Sequence, residues 1–172
     1  MIRLSLKLNI TGETHMRHVT QICLVIIGIS FLLPAFAAKD PNLKLIKARQ
    51  SEMQLRSFNA GPLFGMAKGK VEYNADLASM LANNLLLQTK MDVGRAWVKG
   101  TDNVAYKGKT TALPKIWSTY PEVKDKGKAY VKAVTELAAV AGNGLDALKP
   151  KVSALGKGCK GCHDDFREKK DK

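Results

Sequence analysis

The chain has 172 residues, with 28 Lys and Arg against 15 Asp and Glu, a net charge of +13, and 45% hydrophobic residues. That length allows one domain around one core, and no repeat, low-complexity tract or β-hairpin signal points elsewhere. So basic a chain raises nucleic acid as a partner, a reading that the export signal described next argues against.

Residues 16–37 read as a secretory signal. Arg17 and His18 form the charged start, Ile22 to Leu33 the apolar core, and Ala35-Phe36-Ala37 an A-x-A cleavage site. The apolar run is nearer a signal core than the roughly 20 residues of a spanning helix, so the mature chain is expected to have no membrane span. Counted from Met1 the charged region is long, so translation is expected to begin at Met16. Residues 1–37 thus divide off as an N-terminal extension and signal, and 38–172 as one domain. Those first 37 residues hold Arg3, Lys7, Arg17 and Glu13, so their removal lowers the net charge from +13 by two, to +11. Such a charge favours steering toward an acidic redox partner.

Four helices are expected in the remainder. The first opens at Asp40-Pro41, a cap residue followed by proline at the first helical position. Leu43, Ile46, Gln50, Met53, Ser57 and Ala60 follow at heptad spacing, and Gly61-Pro62 should kink or end it. The second runs from near Asn74 to about Thr89 with Leu77, Met80, Leu81, Leu85 and Leu87. A long connection, Met91 to Ser118, is of the kind that packs on a ligand or serves function. Thr119, Pro121 and Glu122 predict a capping box for the third helix. Its inward face would be Val123, Tyr130, Val134, Leu137 and Ala141. Gly142-Asn143-Gly144 makes a tight reversal. In the fourth helix Leu148, Val152, Leu155, Cys159, Cys162 and Phe166 fall at steps of four and three, and Pro150 marks its start or kinks it. The short connections favour antiparallel neighbours, giving an all-α antiparallel four-helix bundle.

The fourth helix carries Cys159-Lys160-Gly161-Cys162-His163. In C-x-x-C-H the two thiols add across the vinyl groups of a haem and the adjacent imidazole binds the iron from one face. Positions i, i+3 and i+4 share a helical face, so all three reach one flat ligand. A thioredoxin-like pair would open a helix within a βαβ pattern, which is absent. Zinc would lack a fourth ligand, because the mature chain holds these two Cys and this one His. One covalently attached haem c per chain is therefore expected, buried in the bundle where the cysteines continue the apolar seam. His163 as the only mature histidine excludes bis-histidine ligation and removes the usual general base of nucleophilic catalysis, so no enzyme is expected.

With this motif near its C-terminus, the exported bundle resembles the class II c-type cytochromes, the cytochrome c' and cytochrome c-556 family. Arg49-Gln50-Ser51-Glu52-Met53, Pro114-Lys115-Ile116-Trp117 and Cys159 to Arg167 carry the resemblance. It implies that Arg49 meets a haem propionate and that Arg167 sits beside the proximal imidazole, roles that suit a bidentate guanidinium. It also implies that homodimers can form through the first two helices. The family divides at one position of the first helix: an apolar non-ligand leaves a five-coordinate iron that binds nitric oxide or carbon monoxide, and methionine gives a low-spin, six-coordinate iron. Here that position is Met53, which either ligates or fills the core. Met66, Met80 and Met91 are the other thioethers in the mature chain. The expectation is a periplasmic electron-transfer protein with His163 and Met53 as axial ligands, the thioether favouring ferrous iron and raising the potential. The alternative is a five-coordinate, gas-binding haem protein.

Overall fold

The computed structural model describes residues 40–169. The expected signal segment and the start at Met16 lie outside those residues.

The first helix, α1, is Pro41–Ala67, and its start follows from two residues. The Asp40 side chain accepts from the Asn42 N–H at 2.8 Å, and Pro41 occupies a position whose N–H would have no helical partner. Gly61-Pro62 does not end the helix, which continues through Pro62 to Ala67. Proline deletes one helical N–H, but Leu63 at 0% and Met66 at 1% exposure are buried just beyond it, and their burial holds the next turn in register. The inward face of α1 is also rotated from the heptad reading. Ile46, Arg49, Glu52, Asn59, Ala60, Leu63 and Met66 are buried, Met53 is half-buried, and Gln50 and Ser57 are exposed. Sequence hydrophobicity could not find this face, because three of its members are polar.

The second helix, α2, is Ala75–Gln88, capped by the Asn74 side chain, which accepts from Leu77 N–H at 2.8 Å. The long connection contains a 3-10 turn, Gly94–Ala96, and a short helix, α3, Lys115–Ser118. The fourth helix, α4, is Tyr120–Ala138, and the fifth, α5, is Leu145–Phe166. No capping box forms at Thr119. α3 runs directly into this point, so the Thr119 hydroxyl donates to the Lys115 carbonyl at 2.9 Å, and Glu122 pairs with Lys115 at 3.6 Å. Pro150 lies inside α5 and does not start it.

The four long helices pack around a ring, α1 on α2, α2 on α4, α4 on α5 and α5 on α1. Leu63, Leu85, Val134, Leu137, Leu148, Val152 and Leu155 fill the middle. Each buried side chain of this size adds about 1.5–3 kcal/mol of transfer free energy. The reversal between α4 and α5 is tied down from across the bundle. The Tyr73 hydroxyl donates to the Ala141 carbonyl and accepts from Gly144 N–H, both at 2.9 Å. A Cβ at Gly142 would meet the Ser79 hydroxyl, so glycine lets α2 approach without moving that side chain, and Gly144 turns the chain at φ 107°. Among the described helices none is long and apolar enough to cross a membrane.

Candidate functional site

The haem motif sits in the last two turns of α5, where Cys159, Cys162 and His163 are each half-buried on one face. The thiols stand between two separate apolar clusters. Cys159 packs on the main core. Cys162 packs on a second cluster, in which Ala112, Ile116 and Phe166 are buried and Trp97, Trp117 and Val123 partly so. α4 and α5 come close beside Cys159, where a Cβ on Gly158 would stand in van der Waals contact with the Tyr130 backbone.

Electrostatics keep the three groups neutral. Burial pushes both thiols up, opposed chiefly by Arg56 at Cys159 and Lys126 at Cys162. Burial pushes the His163 imidazole down, and the Arg167 charge pushes it further in the same direction. A neutral imidazole has the free ring nitrogen that an iron ligand needs. The Arg167 charge is therefore felt at His163, although its side chain is exposed. Its position is fixed by backbone pairing with Ala112, flanked by Leu113 N–H to Phe166 O at 3.0 Å and Glu168 N–H to Thr111 O at 2.8 Å.

The long connection is therefore stitched to the end of α5, and Arg49 stitches it to α1. Arg49 is 3% exposed. Its terminal nitrogens donate to Thr101 Oγ1 at 2.6 Å, Thr110 Oγ1 at 3.0 Å, the Ala96 carbonyl at 3.4 Å and the Thr101 carbonyl. Its guanidinium also lies 5.0 Å from the Trp97 ring and 5.8 Å from the Trp117 ring. Burial lowers its pKa while Asp102 opposes the shift. Arg49 thus anchors the segment that builds the wall beside Cys162. Trp117 Nε1 donates to the Trp97 carbonyl at 2.9 Å and completes that wall.

Of the four methionines among the described residues, Met66 belongs to the main core, and Met80 and Met91 are 52% and 54% exposed. Met53 is half-buried on α1, between two groups that sequence reasoning passed over. Glu52, 7% exposed, pairs with Arg56 Nε, and its Oε2 has no hydrogen-bond partner among the described residues. Arg56 in turn stacks 4.5 Å over the Tyr130 ring. The i, i+4 spacing of Glu52 and Arg56 announced the pair, but nothing in the sequence announced its burial.

These residues fit a covalently attached haem. Two thiols and an imidazole share one face, and each thiol packs on an apolar cluster that would suit an apolar macrocycle. Among the described residues no three His, Cys, Asp or Glu side chains converge as a metal site of their own.

A family model described as Cytochrome C' matches residues 44–167. Cytochrome c' of Cereibacter sphaeroides is 37% identical over 138 residues, 80% of this chain and 92% of that protein. The structure of a cytochrome c' from Rhodobacter Spheriodes superposes with a TM-score of 0.73 at 36% identity, covering 75% of this chain and 98% of that one. A nitric oxide complex of a mutant cytochrome c prime from Alcaligenes xylosoxidans superposes at 0.66 with 28% identity, covering 77% and 99%. A cytochrome c' with ligand-controlled dimer dissociation superposes at 0.68 with 26% identity, covering 77% and 100%. These findings overturn the expectation of electron transfer through a haem ligated by His163 and Met53. They name cytochrome c', the five-coordinate side of the division, and not the methionine-ligated branch. The physical reason is that a thioether fills a half-buried site as hydrocarbon as readily as it donates to iron, so Met53 alone does not decide ligation.

Proposed function

Because the chain belongs to the cytochrome c' family, we propose that it is a periplasmic haem protein whose iron is ligated by His163 alone and takes nitric oxide or carbon monoxide on the opposite side. It carries one covalently attached haem c per chain. Bound, the haem supplies an iron with one open coordination position, where a diatomic ligand binds.

The chain's own residues account for the rest. Cys159 and Cys162 would tether the cofactor through thioethers formed by adding each S–H across a vinyl group. His163 offers a neutral nitrogen, and Arg167 beside it discourages protonation. Met53 covers the open face without bonding to it. Trp97 and Trp117, steadied by Arg49, keep water from the edge near Cys162. This makes a binding protein and assigns it no enzymatic step. Residues 1–37 carry the export signal, and residues 38–172 form the functional domain. The charge of +11 suits an acidic partner that would keep the iron reduced. The observation that carries the reading is membership of cytochrome c' over residues 44–167. Carbon monoxide titration of the reduced protein tests it. Saturable spectral change is expected, and no change at saturating gas would mean that the iron already has a sixth ligand.

A homodimer through α1 and α2 is part of the same reading. Leu55, Phe58, Leu77, Met80 and Leu87 are exposed there, Phe58 at 73%, whereas Leu81 and Leu85 serve the core. Exposed apolar side chains on two adjacent helices suit a second copy. Sedimentation should give a dimer, and Phe58→Glu should shift it to monomer.

A further inference from the structure

We propose that the surface cavity between α1 and the long connection, lined by Lys47 and Lys109, is where an acidic electron-donor protein docks, one of its carboxylates entering the cavity. The proposal rests on the reading that an acidic partner keeps the iron reduced. Three observations carry it.

First, the positive charge of the chain is unevenly available. Six lysines of α3, α4 and α5 pair with the chain's own carboxylates, among them Lys160 within the haem motif and Lys126 beside it. On the first turns of α1 and on the connection the pattern is different. Lys44, Lys47, Arg95, Lys99, Lys107 and Lys109 are exposed, and none has an ion-pair partner among the described residues. The carboxylates of these segments are engaged elsewhere. Asp40 accepts from Asn42 N–H at 2.8 Å and from the Tyr106 hydroxyl at 2.7 Å. Asp92 accepts from Gly94 N–H at 3.0 Å, and Asp102 from Val104 N–H at 2.9 Å and Ala105 N–H at 3.0 Å. They hold turns in place and leave the lysines to an outside acceptor.

Second, the cavity has a fixed frame. It encloses about 260 Å³, and Ser51 and Gln54 line it with the two lysines. Gln50 Nε2 donates to the Lys109 carbonyl at 2.7 Å, and Arg49 donates to Thr110 Oγ1 at 3.0 Å. Two adjacent residues of α1 therefore hold the segment that carries Lys109, so little order is lost when a partner docks. Two ammonium groups on one cavity concentrate negative charge there, and the Ser51 hydroxyl and Gln54 amide offer a carboxylate further donors.

Third, the cavity is close to the cofactor. Lys109 precedes by three residues Ala112, a member of the cluster on which Cys162 packs. Three residues of chain span at most about 10 Å. A protein seated at Lys109 thus stands a short stretch of backbone from the haem edge.

Stopped-flow reduction of the ferric holoprotein by reduced plant-type ferredoxin, an acidic one-electron donor, tests the proposal. One electron passes from the iron–sulfur cluster to the ferric haem, and no bond is made or broken. At low salt, Lys47→Gln with Lys109→Gln should slow the bimolecular rate by about fivefold to tenfold, and Lys47→Glu with Lys109→Glu should slow it further. Lys128→Gln with Lys132→Gln, and Lys126→Gln with Lys160→Gln, remove the same charge from lysines that are already paired. Each should slow the rate by less than about twofold, with helical content of every variant checked by circular dichroism. If the rate for the unaltered protein falls with salt, but the Lys47 and Lys109 variants lose no more than either control pair, this surface is refuted while the acidic partner stands. If that rate is indifferent to salt, the acidic partner falls and the surface with it.

Discussion

Replacing Arg49 by Met removes the guanidinium while keeping most of the side-chain length, and so tests whether this residue anchors the long connection. The variant strips the donor from the Thr101 and Ala96 carbonyls and from two threonine hydroxyls. A hydrogen bond from a charged donor contributes about 1.5–3 kcal/mol net, and a desolvated cation–π contact up to about 2 kcal/mol. These gains are offset by the cost of burying the charge, which the variant no longer bears. The balance should be a loss of about 3–5 kcal/mol, the range for breaking a buried charged network. That is a large part of the roughly 5–15 kcal/mol that folds a domain. Urea unfolding of the holoprotein, followed by circular dichroism, would read it as a lower midpoint at unchanged slope. Thr101→Val with Thr110→Val should show strong coupling to Arg49→Met in a double-mutant cycle. A loss below about 1 kcal/mol with no coupling would refute the anchor reasoning and return Arg49 to a role toward the cofactor alone.

Three further outcomes follow from the same structure. Changing Cys159 and Cys162 to Ser should release the haem into acid acetone, because coordination and packing alone would then hold it; retention through extraction would refute the thioether tether. Leu137→Ala empties a site that is 0% exposed between α4 and its neighbours and should cost about 2–5 kcal/mol by urea unfolding, with a cost under about 1 kcal/mol counting against the packing described. Met53→Leu is nearly volume-conserving and should change stability by less than about 1.5 kcal/mol, leaving the haem spectrum unaltered; a spectral change would show that the sulfur touches the iron.

The starts of α1 and α2 were legible because Asp40-Pro41 and Asn74 act on backbone within two or three residues of themselves. The haem motif was legible for the same local reason. What escaped was set by distant partners. Pro62 reads as a breaker, yet Leu63 and Met66, buried by other helices, carry α1 through it. Thr119 and Glu122 fit a capping box, but α3 arrives first and takes the hydroxyl. Arg49 bonds residues 47 to 61 positions away, a relation that no local pattern encodes. The inward turn of Glu52 and Arg56 violates the apolar seam for which periodicity searches. Met53, half-buried on α1, could not be told from core filler by sequence, since packing and coordination use the same side chain.

The account stands or falls on the coordination of the iron, and the absorption spectrum of the unliganded, reduced protein at neutral pH reports it directly. His163 as sole axial side chain predicts a broad, high-spin spectrum that sharpens and shifts when carbon monoxide is admitted. A sharp low-spin α-band before any gas is added, unmoved by carbon monoxide, would contradict the open iron position at the centre of this account.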